Sequence, residues 1–166
     1  MYYYMYPNGY AMNQTAVPRA QSYWEYPMDP RVQGQNEQVL KALIHAMEGE
    51  SGAIDFYTRL ATMAPNKMAK DVVEHALNDE KKHLEAFVEL YKALTGKTPK
   101  YKTPRTKFSN FKEGVWVAYN DELEAYETYR DDYLLSNDQM IRDTFFLAMT
   151  DEIEHAMRFG LLYQML

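Results

Sequence analysis

Two short runs, Asp79-Glu80-Lys81-Lys82-His83 and Asp151-Glu152-Ile153-Glu154-His155, each set a carboxylate and an imidazole three residues apart, and the runs lie 72 residues apart. Carboxylate oxygen and imidazole nitrogen together suit first-row divalent cations of intermediate hardness, such as iron or manganese. On a helix, the three-residue step puts both side chains on one side, able to hold one ion between them. At alternating steps of three and four, the first run falls within Val73, Ala76, Glu80, His83, Phe87, Leu90 and Leu94. The second falls within Phe145, Ala148, Glu152, His155, Phe159, Leu162 and Leu166. Each series is the apolar seam of a core-facing helix, interrupted midway by a glutamate and a histidine. An ionised carboxylate in a core is costly unless it is paired or bound to a metal.

The repeat extends beyond the two runs. Shifted by 72, residues 50–91 meet residues 122–163 with 12 identities, among them Glu50 with Glu122, Ala53 with Ala125 and Tyr57 with Tyr129. Average residue usage gives about three identities for unrelated segments of that length. The halves are therefore two copies of one helical hairpin. In the first copy the turn is centred on Pro65, with Glu50 15 residues before it and Glu80 15 after it. A rise of about 1.5 Å per residue puts both at one height, roughly 22 Å from the turn. Glu122 and Glu152 stand in the same relation to Asn137. Two such hairpins packed with pseudo-twofold symmetry bring four glutamates and two histidines together at mid-bundle. Two divalent cations balance four carboxylates, whereas one would leave a net negative core or force protonation.

The positioning elements are four long helices. Helix 1 runs from about Gln35 to about Met63, with Leu43, Met47, Glu50, Ile54, Tyr57 and Ala61 on one side. Pro65 and Asn66 end it and start helix 2, which stops before Gly96. Pro99 and Pro104 bar a helix in the link that follows. Helix 3 starts near Asn110, with Glu113 as capping-box partner, and carries Val115, Ala118, Glu122, Ala125 and Tyr129 on its seam. Ser136 and Gln139 suggest another capping box for helix 4, which runs to the C-terminus. Short links within each half and one long middle link predict an antiparallel four-helix bundle with a crossover. Residues 1–34, rich in Tyr, Pro and Met, show no period and read as an irregular arm preceding a bundle over residues 35–166. A plain tail is the favoured reading of that arm; an adhesive segment anchored by tyrosines is the alternative.

Supporting positions fit a metal pair. Asp79 and Asp151 each precede a motif glutamate, where an aspartate can accept the free N–H of a ligating histidine. Tyr57 and Tyr129 follow Glu50 and Glu122 by two turns, so each buried hydroxyl has a glutamate within reach. Taken alone, one Glu-x-x-His is usually a surface pair, and either tyrosine is an ordinary core aromatic. His45 and His75 have no counterpart in the other half and receive no role. Gly49 and Gly52 flank Glu50 and weaken the helix by about 1 kcal/mol each relative to alanine, in exchange for close approach to the site or tight packing. Lys97, Lys100, Lys102, Arg105 and Lys107 on the middle link read as a solvated surface.

Composition removes other classes. The 166 residues carry a net charge of -6 in mixed order and no cysteine. Nucleic acid is not an expected partner, and disulfides and metal–thiolate centres are excluded from this chain. No apolar run approaches the ~20 residues of a membrane span, and the N-terminal residues lack the form of a secretory signal. A cytoplasmic protein is the default expectation.

At these motifs the chain resembles the ferritin-like superfamily, and within it the rubrerythrin-like and bacterioferritin-like di-iron proteins. The resemblance covers about residues 36–166. It implies two irons held by Glu50, Glu80, His83, Glu122, Glu152 and His155, which are also the catalytic residues, with Asp79 and Asp151 behind them. It implies peroxidase or ferroxidase activity on hydrogen peroxide or dioxygen, with no haem. A homodimer or other homo-oligomer is the expected assembly. Manganese with catalase-like chemistry is a further reading, and a structural or coat-associated protein whose metal site stabilises the bundle is the alternative class. Rubrerythrins proper carry a cysteine-ligated rubredoxin domain, which this chain lacks, so an external electron donor is expected. Their additional glutamate would fall at Ala125, and its symmetric position is Ala53. The six-ligand set resembles bacterioferritin, but the chain ends without the short fifth helix of ferritin cages. The Tyr- and Pro-rich arm resembles the low-complexity ends of some spore-coat proteins, so coat association is the alternative location.

Overall fold

The structure, a computed structural model, describes residues 30–166, with side chains described from residue 37. It is an all-α bundle of α1 (Pro30–Thr62), α2 (Lys67–Thr95), α3 (Phe111–Tyr133) and α4 (Gln139–Gln164). Helix α1 begins at Pro30, ahead of the start expected near Gln35. Proline is at home in a first helical turn, where its missing N–H would have no partner. Residues 1–29, most of the expected arm, lie outside the described residues.

Local chemistry sets the remaining boundaries. The Asn66 side chain accepts the Ala69 N–H, and α2 ends at Gly96, whose φ of 67° is the left-handed conformation that glycine adopts without a Cβ penalty. Asn110 caps α3 by accepting the Glu113 N–H, as expected. The reciprocal bond runs from the Ser109 N–H to Glu113 Oε2 at 2.8 Å, one residue upstream of the usual capping box. Helix α4 departs from expectation. Its cap is Asp138, which accepts the Met140 and Ile141 N–H groups, while Ser136 accepts the Asp138 N–H and organises the turn before it.

Helices α1 and α2 pack as one hairpin and α3 and α4 as the other, with α2 against α4; α1 and α3 touch least. The 50/129 and 57/122 contacts run antiparallel, as do 79/155 and 83/151. The apolar core is divided. One cluster joins Tyr57, Leu60, Val73, Val115 and Phe159; the other joins Leu43, Met47, Phe87, Tyr129 and Phe145. Fully buried side chains of this size contribute roughly 1.5–3 kcal/mol each. The seams weaken at their ends, where Leu94 is half-buried and Leu166 is exposed. Ile54 on α1 is half-buried too, and the neighbouring Phe56 takes the core position.

The crossover, residues 96–110, is strapped to α1. The Lys102 N–H donates to Glu48 Oε1, Ser51 Oγ donates to the Lys102 carbonyl, and Arg59 donates to the Thr106 carbonyl. A Cβ on Gly52 would lie 3.0 Å from Pro104 Cγ and 3.2 Å from its carbonyl oxygen, so glycine is what lets the strap lie this close. All five basic side chains of the crossover are exposed. Among the described residues no helix is long and apolar enough to cross a membrane.

Candidate metal centre

Between the two apolar clusters lies a polar layer. Helix α1 supplies Glu50, α2 Glu80 and His83, α3 Glu122, and α4 Glu152 and His155, none more than 6% exposed. The structure brings all six together. Glu50, Glu80, His83 and Glu152 form one group whose ligand atoms lie within 4.8 Å of one another, and Glu80, Glu122, Glu152 and His155 form a second. Glu80 and Glu152 belong to both groups; each remaining glutamate and each histidine belongs to one. This is the pattern of two adjacent cation positions with two shared carboxylates.

The histidines turn Nδ1 inward. His83 Nδ1 lies 3.1 Å from Glu80 and 3.3 Å from Glu152; His155 Nδ1 lies 3.2 Å from Glu152 and 3.3 Å from Glu80. Their outer nitrogens meet the aspartates, but across the repeat. His83 Nε2 is 3.1 Å from Asp151, and His155 Nε2 is 3.4 Å from Asp79. The tyrosines cross as well. Tyr129 donates to Glu50 at 2.5 Å, and Tyr57 donates to Glu122. Burial, and next the charge of the partner glutamate, raises each tyrosine pKa, which keeps both hydroxyls protonated as donors. Gly49 imposes no comparable constraint, since a Cβ there would sit 3.7 Å from the Tyr129 hydroxyl.

Without cations the layer is electrostatically strained. Burial, then the charges of neighbouring glutamates, pushes Glu50 and Glu122 well above the usual carboxylate range. Burial works against Glu80 too, but bonds from His155 and His83 outweigh it and bring its carboxyl down to about 2. At His83 burial favours the neutral ring, yet bonds to Glu152 and Glu80 prevail and raise it to about 10; His155 is raised likewise. Two imidazoliums cannot neutralise four carboxylates, so without cations Glu50 and Glu122 stay neutral by holding protons. Among the described residues, Glu80 Oε1 is a buried oxygen with no hydrogen-bond partner, although His155 Nδ1 stands 3.3 Å away. An acceptor left bare at the point shared by both groups fits a cation-bridging carboxylate.

One partner escaped the sequence reading. His75 Nε2 lies 3.3 Å from Asp79 and 3.0 Å from Glu154, and Arg158 pairs with Glu154 in turn. This chain of contacts backs Asp79 and through it His155. No equivalent exists in the other half, because the repeat places Leu147 at the position of His75. The four-residue spacing of His75 and Asp79 is a signal in the sequence, whereas the contact with Glu154 appears only where α2 meets α4. Asp151 is correspondingly more open, with its side chain 49% exposed against 13% for Asp79. His45 is exposed.

Comparison with known proteins bears on this geometry. A family model described as Rubrerythrin matches residues 10–91 and 41–163. An uncharacterised protein of Bacillus subtilis (strain 168), YhjR, is 30% identical over 138 residues, covering 83% of this chain and 93% of that protein. Among solved structures, a ferritin-like di-iron-carboxylate protein from Bacillus anthracis str. Ames superposes with a TM-score of 0.70 at 19% identity, over 78% of this chain and 97% of that one. The ferritin-like part of a two-domain protein from Anabaena variabilis ATCC 29413, which also has a DJ-1/ThiJ/PfpI-like domain, gives a TM-score of 0.64 at 14% identity. There 78% of this chain is covered, but it spans only 36% of the larger protein's length. At such identities these likenesses concern the fold, which is ferritin-like.

Proposed function

The chain belongs to the rubrerythrin family, and from that premise we propose that it is a di-iron oxidoreductase that reduces hydrogen peroxide or dioxygen, with electrons restored by an external donor. The observation that carries this reading is the pair of overlapping four-ligand groups sharing Glu80 and Glu152. Two Fe(II) ions held there would supply two electrons to an oxidant. Glu80 and Glu152, which belong to both groups, would hold both ions, and Glu50 and Glu122 would each hold one. His83 and His155 each present Nδ1 to one position, held in orientation by Asp151 and Asp79 at Nε2. Tyr57 and Tyr129 fix the terminal carboxylates by hydrogen bonds. The apolar clusters above and below the layer keep water from those two sides and strengthen these electrostatic interactions, leaving the α1–α3 gap as the opening.

Anaerobic titration tests the proposal. Fe(II) added to metal-free protein binds at two equivalents per chain, and hydrogen peroxide or dioxygen then oxidises both rapidly, with further turnover when reductant is added. Two ions bound without oxidation support the second reading, an interaction protein whose metal site chiefly stabilises the bundle. That reading draws on the exposed apolar residues of α4, with Met140 54%, Leu147 63%, Met157 58% and Leu161 69% exposed.

A further inference from the structure

Helices α1 and α3 touch least of all neighbouring pairs, and the gap between them is a cavity of about 210 Å³ that reaches all four glutamates of the polar layer. Its walls beyond the carboxylates are chiefly apolar and small, with Ala53, Phe56 and Ala125 from the two helices and Pro104 from the strapped crossover. The gap has a cause in the sequence. Ala53 and Ala125 are repeat partners, so both helices present a single methyl group at the same height, one turn from Glu50 and Glu122. Gly52 lets Pro104 close the top.

Hydrogen peroxide alone does not need this space. Two cations would fill the glutamate end of the cavity, and the end left for a ligand, between Ala53, Phe56, Ala125 and Pro104, is walled chiefly by carbon and suits an alkyl group better than two oxygens. The whole cavity is also smaller than the ~300 Å³ at which sites for drug-sized ligands begin. Charge narrows the class further. Asp121 stands among the lining residues, and the four glutamates are only just balanced by two divalent cations, so an anionic molecule finds no cationic side chain on these walls.

We infer that the α1–α3 cavity binds a small, neutral organic hydroperoxide, its alkyl group against Ala53, Phe56 and Ala125 and its –OOH end toward the glutamate layer. The inference rests on the peroxide-reducing function proposed above and names a substrate class for the same site. In one turnover the O–O bond breaks. The hydroperoxide takes one electron from each of two Fe(II) ions and two protons from solvent, leaving one alcohol and one water while both irons become Fe(III).

Binding and chemistry are tested separately. On protein loaded with redox-inert, diamagnetic Zn(II), saturation-transfer NMR reports transfer to the methyl groups of tert-butanol, the alcohol product of tert-butyl hydroperoxide. Transfer falls at least fivefold in Ala53→Leu and Ala125→Leu. On Fe(II)-loaded wild-type protein, single-turnover oxidation by tert-butyl hydroperoxide stays within tenfold of that by hydrogen peroxide and drops at least a further tenfold for the bulkier cumene hydroperoxide. In Ala125→Leu the ratio of the tert-butyl hydroperoxide rate to the hydrogen peroxide rate falls at least tenfold. The wild-type size series needs no variant to fold. Rapid oxidation by hydrogen peroxide with none by tert-butyl hydroperoxide overturns this inference alone, as does absence of tert-butanol transfer in the wild type. Failure of both oxidants overturns the function on which it rests.

Discussion

Glu80 and Glu152 differ from Glu50 and Glu122 in a way that residue type does not disclose: the first two belong to both ligand groups, the others to one. Glu80→Ala therefore lowers divalent metal content from two ions per chain to below one, because it strips a ligand from both positions. Glu50→Ala retains about one ion, in the group of Glu80, Glu122, Glu152 and His155. Elemental analysis after equilibrium dialysis distinguishes them, and equal losses would refute the sharing. The aspartates act one step further out. Replacing a carboxylate that orients a ligating histidine costs roughly 10–100-fold in metal affinity. Asp79→Asn and Asp151→Asn should each fall in that range by competition with a chromophoric chelator. His75→Ala should weaken affinity by a smaller factor, since it supports His155 through Asp79 and an edge-on ring contact and leaves the Asp79 bond in place.

Among the elements, the helix caps carry separable contributions. Asn66, Asn110 and Asp138 each accept main-chain N–H groups at the start of a long helix. Alanine at any of them costs about 1 kcal/mol, as N-cap truncations do. Ser136→Ala costs less, because its bond lies in the turn and caps nothing. Urea unfolding of the four variants ranks these costs, and a larger loss at Ser136 than at Asp138 would contradict the observed cap. The expectation at Ser136 failed for a physical reason. Serine and aspartate are both good caps, and the two candidates lie two residues apart. The choice depends on where the turn from α3 delivers the chain, which includes Arg142 donating to the Ser136 carbonyl at 3.2 Å.

For the molecule as a whole, the divided core makes pH a probe of the metal. In metal-free protein, Glu50 and Glu122 hold protons that the unfolded chain releases above the ordinary value of 4.5, so their effect lowers stability as pH rises past it. His83, raised from 6.5 to about 10, stabilises fully below 6.5 and loses that contribution as pH climbs toward 10; His155 acts in the same direction. Glu80 opposes them only in acid, where its contribution, complete above 4.5, fades as pH falls toward about 2. The melting temperature of metal-free protein should thus fall from about pH 5 to about pH 9. Saturating divalent metal should remove or reverse that slope, because binding requires deprotonated ligands. Calorimetry in the two states checks this, and parallel slopes would count against a metal-neutralised layer.

The four helices, their hairpin pairing and the six side chains meeting at mid-bundle were all legible before any coordinates. Helical period, caps and the 72-residue repeat are local or near-local signals, and an acidic residue on an apolar seam shows itself by its cost. What the chain alone left open were relations between distant segments: Asp151 serving His83, Tyr129 serving Glu50, His75 reaching Glu154, and Pro104 sealing the gap beside Ala53 and Ala125. Those contacts depend on how two related hairpins dock antiparallel, and that is decided by side chains interlocking across the core, which helical spacing along one chain does not encode.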